Sequence, residues 1–213
     1  MKYGLAILAA AAMTVAAQAV PVTTPPPVVS ALGGNVTAIY IFASADDSSI
    51  LGLAAPAPSI SQIFCNHPTG ACSTAGTPGD VMSLGNRSGM LTFTLANATK
   101  GTMYDSVNAD SDGVYHALVT TNFADYNVGP LSSALMAQLA GYKNITFVGF
   151  EDRNTAEHSD WDYNDLIFAF SNTAPSGNPG VPEPLTLSLF GAGLAGLAGW
   201  GFARKRRVTT QAS

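Results

Sequence analysis

The densest run of potential metal ligands in this chain is EDRNTAEHSDWDYNDLIF, Glu151 to Phe168. Glu151, Asp152, Glu157, Asp160, Asp162 and Asp165 crowd into it against Arg153 alone, directly ahead of an apolar stretch. Carboxylates packed this closely repel one another unless a cation or a proton intervenes. Asp160, Asp162 and Asn164 alternate and Asp165 follows, so their side chains can turn inward together while the backbone folds around a point. Calcium takes about six to eight hard oxygen ligands, and a divalent ion would turn the repulsion into attraction. A second stretch, NADSDG, alternates Asn108, Asp110 and Asp112 before Gly113. The expected Ca2+ ligands are therefore drawn from Asp110, Asp112, Glu151, Asp152, Asp160, Asp162, Asn164 and Asp165. A competing reading is purely structural, because Asp and Asn also make Asx-turns and cap backbone amides at corners before strands. His116 and His158 are expected at the surface or in hydrogen bonds, since no second His stands at zinc-ligand spacing.

NADSDG resembles the first half of an EF-hand loop, with Gly113 allowing the sharp turn, but the place that needs a bidentate Glu is Val119. Counting from Asp160 puts Asp165 at the glycine place and Ser171 at the last one. Neither stretch is an EF-hand; both suit ion-holding loops of a β-sandwich. Catalytic patterns are missing. GNRSG sets Ser88 one place too late for a nucleophile elbow, and no Gly-rich phosphate loop follows a strand. Paired carboxylates can hydrolyse glycosides, yet so many adjacent acids are better explained by ion binding. No catalytic residue is expected.

Both ends read as targeting elements. Residues 1–19 combine Lys2, an apolar run from Leu5 to Val15, and Ala17-Gln18-Ala19, the form of a secretory signal peptide with a small-x-small cleavage site. Residues 185–203 carry no charge and, at about 1.5 Å per residue, make a helix of roughly 28 Å, enough to cross a bilayer core. Arg204-Lys205-Arg206-Arg207 follows at once, which holds that end in the cytoplasm and leaves everything upstream outside. The formal charge of the whole chain is -5. Outside the two ends only Arg87, Lys100, Lys143 and Arg153 face the acids, so the exported part is strongly acidic. That balance excludes nucleic acid as a partner and favours cations. Cys65 and Cys72 flank NHPTGA, and in an oxidising compartment they are expected to form a local disulfide; a metal site there would need more than His67.

The elements that must position the acids lie in one domain, residues 34–171, between a Pro-rich leader at 20–33 and a flexible stalk at 172–180. Residues 36–44 and 89–95 alternate as half-buried strands, whereas 114–120, 144–150 and 165–170 suit strands covered more fully. SISQIF and VMSLG are weaker strand patterns. LSSALMAQLAG predicts the one helix, with Leu131, Leu135, Met136 and Leu139 on a face and Gly141 as its stop. The fold expected is mainly β: an antiparallel β-sandwich of jelly-roll type with one short helix.

Two resemblances follow. Val181-Pro182-Glu183-Pro184, the apolar helix and the terminal Arg cluster, together residues 181–207, resemble the PEP-CTERM sorting signal of Gram-negative bacteria. That likeness implies Pro182, Glu183 and Pro184 as the recognised tripeptide. It also implies a membrane protease-transpeptidase of the exosortase type as partner, a transient stay in the inner membrane, and a setting of extracellular polysaccharide. GFEDRNTAEHSDWDYNDLIF is similar to the closing signature of a family of bacterial secreted domains known as domain of unknown function 4114. IFCN, VMSLGNRSGMLTFTL and NADSDGVYHAL stand in that family's order too, so the likeness spans most of 36–171. Membership implies a secreted, calcium-binding β-domain without established enzymatic activity. The loop between Asp152 and Asp160 departs from the family in lacking glycines, and the Cys65–Cys72 loop is an insertion.

The function expected is that of an exported, non-catalytic envelope or extracellular-matrix protein associated with exopolysaccharide or biofilm. An alternative is a carbohydrate-binding module that stacks sugars on Tyr104, Tyr126 or Trp161, which lie near the acidic loops. A glycan hydrolase is the third reading.

Overall fold

The computed structural model describes residues 20–177; the expected signal peptide, the sorting tripeptide and the apolar helix lie outside them. Among the described residues no helix is long and apolar enough to cross a membrane.

The protein is mainly β, an open antiparallel sheet with one short helix, consistent with a β-sandwich. In chain order the strands are β1 (Val28–Ala43), β2 (Ser49–Ala55), β3 (Ile60–Cys65), β4 (Val81–Asn97), β5 (Thr102–Asp105), β6 (Ala117–Thr120), β7 (Thr146–Phe150), β8 (Leu166–Phe170) and β9 (Thr173–Ser176), with helix α1 (Ser133–Ala140) before β7. The strand order is β3-β2-β4-β1-β8-β7-β6, with β5 on the free side of β4 and β9 on β1. Two long strands tie the layers together. The early part of β4 pairs with β1, and its late part, from Thr92, pairs with β2 and β5. The register of β1 on β4 shifts beside Gly33 and Gly34, both at positive φ, where a glycine lets the strand bend without a Cβ clash.

Alternation then builds two cores. Leu166, Phe168 and Phe170 of β8 face inward with Ala38, Tyr40, Val148 and Phe150, against Leu51, Phe64, Phe93 and Leu95 of the opposing layer. Phe93 stacks on Phe170 with centroids 3.9 Å apart, and Phe64 on Phe168 at 6.1 Å. Each such ring contributes about 1.5–3 kcal/mol by leaving water. The in-between residues Ile39, Ile41, Phe147, Ile167 and Ala169 point to the other face, where α1 covers them with Leu135 and Leu139. β1, β7 and β8 are therefore apolar on both faces.

Several expectations need correction. β1 is not half-buried along 38–41 but covered on both sides. It also begins at Val28, inside the stretch expected to be leader, because Val28 and Val29 pair with β9 and enter the core. β9 in turn occupies most of 172–176, expected as stalk. Met136 is 51 % exposed, since the buried face of α1 follows Leu131, Leu135 and Leu139. β2, β5 and β9 are strands that the sequence pattern does not announce. Cys65 and Cys72 lie at disulfide distance, with their Cα atoms 6.4 Å apart.

Candidate metal centre

The acidic stretch is the connection from β7 to β8. It leaves β7 at Phe150 and drops Glu151 and Asp152 at once into buried positions, Glu151 at 0 % exposure. Asn154 and Glu157 form a capping box around the 3-10 turn Thr155–Glu157, each accepting from the other's backbone N–H at 3.1 Å. Past His158 the backbone enters the left-handed region at alternate residues, Trp161 (φ 59°) and Tyr163 (φ 57°). Large aromatics rarely adopt that conformation, and it is held here by burying both rings in the outer core. The loop sits directly over Gly149 of β7, where any Cβ would collide with the Tyr163 carbonyl and the Tyr126 ring. This alternation buries the aromatic residues and leaves Asp160 exposed and Asp162 and Asn164 half-buried between them.

Glu151, Asp160 and Asp162 bring carboxylate oxygens within 4.8 Å of one another, a grouping able to hold a metal ion. Glu151 accepts from the Ser159 hydroxyl and from the Tyr163 backbone N–H. Asp162 accepts from Asn164, through its backbone N–H at 3.2 Å and its side-chain amide. Asn164 in turn accepts from the Ser44 hydroxyl at 2.7 Å, which joins the loop to the end of β1. Asp165 accepts from the Asp152 N–H at 2.9 Å, and the Asp152 carboxylate accepts from Ser49 at 3.2 Å. A cleft of about 210 Å³ opens beside these groups, lined by Ser44, Glu151, Asp152, Arg153, Asp160 and Asp165 among others. Asp47, below it, accepts from Arg153 at 2.9 Å and from Asn97 at 3.1 Å.

Burial sets the electrostatics. It pushes the Glu151 carboxyl up to about 7, with the charges of Asp165 and Asp160 adding to the rise. Burial and the neighbouring Asp152 push Asp165 up to about 7 as well. Asp162 and Asp152 are raised in the same way, burial first, then Asp160 for the one and Asp47 for the other. Arg153 is the one guanidinium beside these acids, and it is bonded to Asp47, so the acids outnumber the positive charge at hand.

NADSDG behaves differently. Its turn closes through the Asp110 N–H on the Val114 carbonyl and the Gly113 N–H on the Asp110 carbonyl, both 2.9 Å, with Gly113 at φ 77°. Asp112 accepts from the Val114 N–H at 3.1 Å, from the Thr155 N–H and hydroxyl at 3.2 and 3.1 Å, and contacts His116 Nε2 at 3.3 Å. Burial opposes its charge, but these donors and His116 hold its carboxyl below the ordinary range. Asp110, Asp112 and His116 form a second, separate group of potential ligands.

The eight expected ligands thus divide. Glu151, Asp160 and Asp162 come together; Asp152 and Asp165 bond to one another beside them; Asn164 supports Asp162. Asp110 and Asp112 do not join the first group, because Asp112 is turned onto Thr155 and His116. Of the two places expected for His116 the structure shows the hydrogen-bonded one: it contacts Asp112 at 3.3 Å, is 1 % exposed and stacks on Tyr104 at 3.9 Å. Ser44, Asp46, Asp47 and Ser159 also border or support the site, and of these the sequence signals only the acid pair 46–47 at a predicted strand end. Tyr104, Tyr126 and Trp161 are all buried, so none offers a sugar-stacking face. Among the described residues no Phe, Tyr or Trp is fully exposed, though Phe42, Tyr115, Phe123 and Tyr142 are partly so. No protein-family model, curated protein or solved structure matches this chain.

Proposed function

We propose that this chain is an exported, non-catalytic module of the cell envelope or extracellular matrix whose β7–β8 loop holds calcium. The observation that carries the reading is the convergence of Glu151, Asp160 and Asp162 beside a cleft whose acids outnumber its one cationic side chain, Arg153, itself paired with Asp47. All three offer hard oxygens, the ligand type calcium takes, and magnesium would fit a loose acidic loop poorly because it keeps its waters. The sandwich, jelly-roll-like in this reading, serves as a rigid frame for the loop. The sequence of residues 181–207 supports sorting by an exosortase-type enzyme through Pro182, Glu183 and Pro184, with release from the inner membrane toward an exopolysaccharide setting. Burial of Tyr104, Tyr126 and Trp161 weighs against direct sugar stacking. The test is a calcium titration of the purified chain: calcium raises the melting temperature, a chelator lowers it, and magnesium replaces calcium poorly. Identical melting in calcium and chelator overturns the metal reading.

A further inference from the structure

We propose that the segment ahead of the sheet, residues 21–23, is a strap that positions the metal loop through Tyr163, an inference that rests on the calcium reading above. Val22 lies across two loops at once. Its N–H donates to the Tyr163 hydroxyl at 2.7 Å, and its carbonyl accepts from the Tyr115 N–H at 2.9 Å. The Tyr163 hydroxyl donates onward to the Tyr115 carbonyl at 3.0 Å, so one phenol is pinned from both sides. The side chain of Val22 packs against the outer core beside these rings.

The consequence runs along the Tyr163 residue itself. Its hydroxyl is held by the strap, and its backbone N–H donates to Glu151 at the centre of the acidic group. Tyr163 sits at φ 57°, an unfavourable conformation for an aromatic residue, so a fixed ring is what keeps that N–H aimed at the carboxylate. Partners that orient a ligand without touching the ion commonly change affinity by about 10–100-fold when removed. The strap stands one step further out, so the lower end applies. Tyr163 and Val22 are thus positioning residues and not ligands.

The test uses the full purified chain and three variants. Val22→Pro removes the N–H donor, Tyr163→Phe removes the phenol oxygen, and Val22→Ala trims the side chain but keeps the hydrogen bond. Terbium(III) serves as the probe, an oxygen-seeking stand-in for calcium whose emission is excited through the neighbouring Trp161. Hydrogen exchange of residues 159–165 is followed separately in chelator. The expected result is terbium binding weakened about tenfold in Val22→Pro and Tyr163→Phe, near-native binding in Val22→Ala, and faster exchange in the first two variants. Unchanged exchange in both overturns the strap, whether or not any ion binds. Faster exchange with unchanged terbium affinity overturns its link to the ion. Failure of the unaltered chain to bind terbium or calcium overturns the metal reading and that link together, and the exchange result then decides the strap by itself.

Discussion

The β7–β8 loop and the NADSDG turn draw on the same residue types, alternating carboxylates with small polar residues, and reach opposite electrostatic states. Asp112 is met by two backbone N–H groups, a hydroxyl and an imidazole, and its charge is stabilised inside the fold. Glu151 is buried more deeply, receives a hydroxyl and one N–H, and stands against further acids, so its charge is penalised. Donor supply separates the two, not acid content. A turn that satisfies its own carboxylate has no need of an ion; a loop that buries carboxylates faster than it supplies donors requires a cation or a proton.

The contrast is broken most strongly by pH in the absence of divalent ions. Glu151 and Asp165 bind their protons more tightly folded than unfolded, from ordinary values of 4.5 and 3.8 to about 7. Their contribution is complete below about pH 4 and is lost as pH rises through about 7, an effect on the order of 3 kcal/mol for one group. Asp112, held low, has the opposite sign: its contribution is present above its ordinary value of 3.8 and is lost as pH falls through the depressed one. In chelator the chain is expected to be more stable at pH 5 than at pH 8, as measured by urea unfolding, and Glu151→Gln to flatten that slope. A slope of the reverse sign over this interval removes the contrast.

Calcium sharpens it next. At a hundredfold excess over Kd the ion adds about 2.7 kcal/mol, and Asp162→Ala is expected to abolish the difference between calcium and chelator. Asp112→Ala should do the converse. It strands the donors of Val114, Thr155 and His116, costs about 1–3 kcal/mol in either buffer, and leaves the calcium increment intact when melting is compared. If Asp112→Ala erases the calcium response, the two groups act as one site. The smallest effect belongs to Thr155→Val, which removes the hydroxyl joining the loops and should cost about 0.5–1.5 kcal/mol without altering the slope of stability against pH.

The apolar strands were legible because their residues are large and branched: 144–150 and 165–170 announce strands covered on both faces, and β7 and β8 are such strands. β2 was not, since SILGLAA has no alternation and carries Gly52 at its centre; pairing on β4 decides it, and the close approach of the Ile60 carbonyl uses that glycine. β9 is four residues with Pro175 inside, and only its distant partner β1 makes it a strand. In the site the ligand types were legible but their grouping was not. Nothing in NADSDG foretells that Asp112 turns toward Thr155, forty-three residues away. Ser159 differs from any polar loop residue only in lying beside Glu151.

The pairing of β1 with β9 sets how this domain bears load. Val28 stands opposite Ser176 and Ala31 opposite Thr173, so the strands that enter and leave the sheet are antiparallel neighbours ending at the same corner. Tension drawing that corner apart would fall on one pair of hydrogen bonds at a time and peel the strands like a zipper, whereas a lengthwise pull would strain the whole ladder together. The domain is therefore mechanically soft at the corner where β1 and β9 meet, and on the entering side the bonds of Val22 to Tyr163 and Tyr115 stand ahead of that ladder.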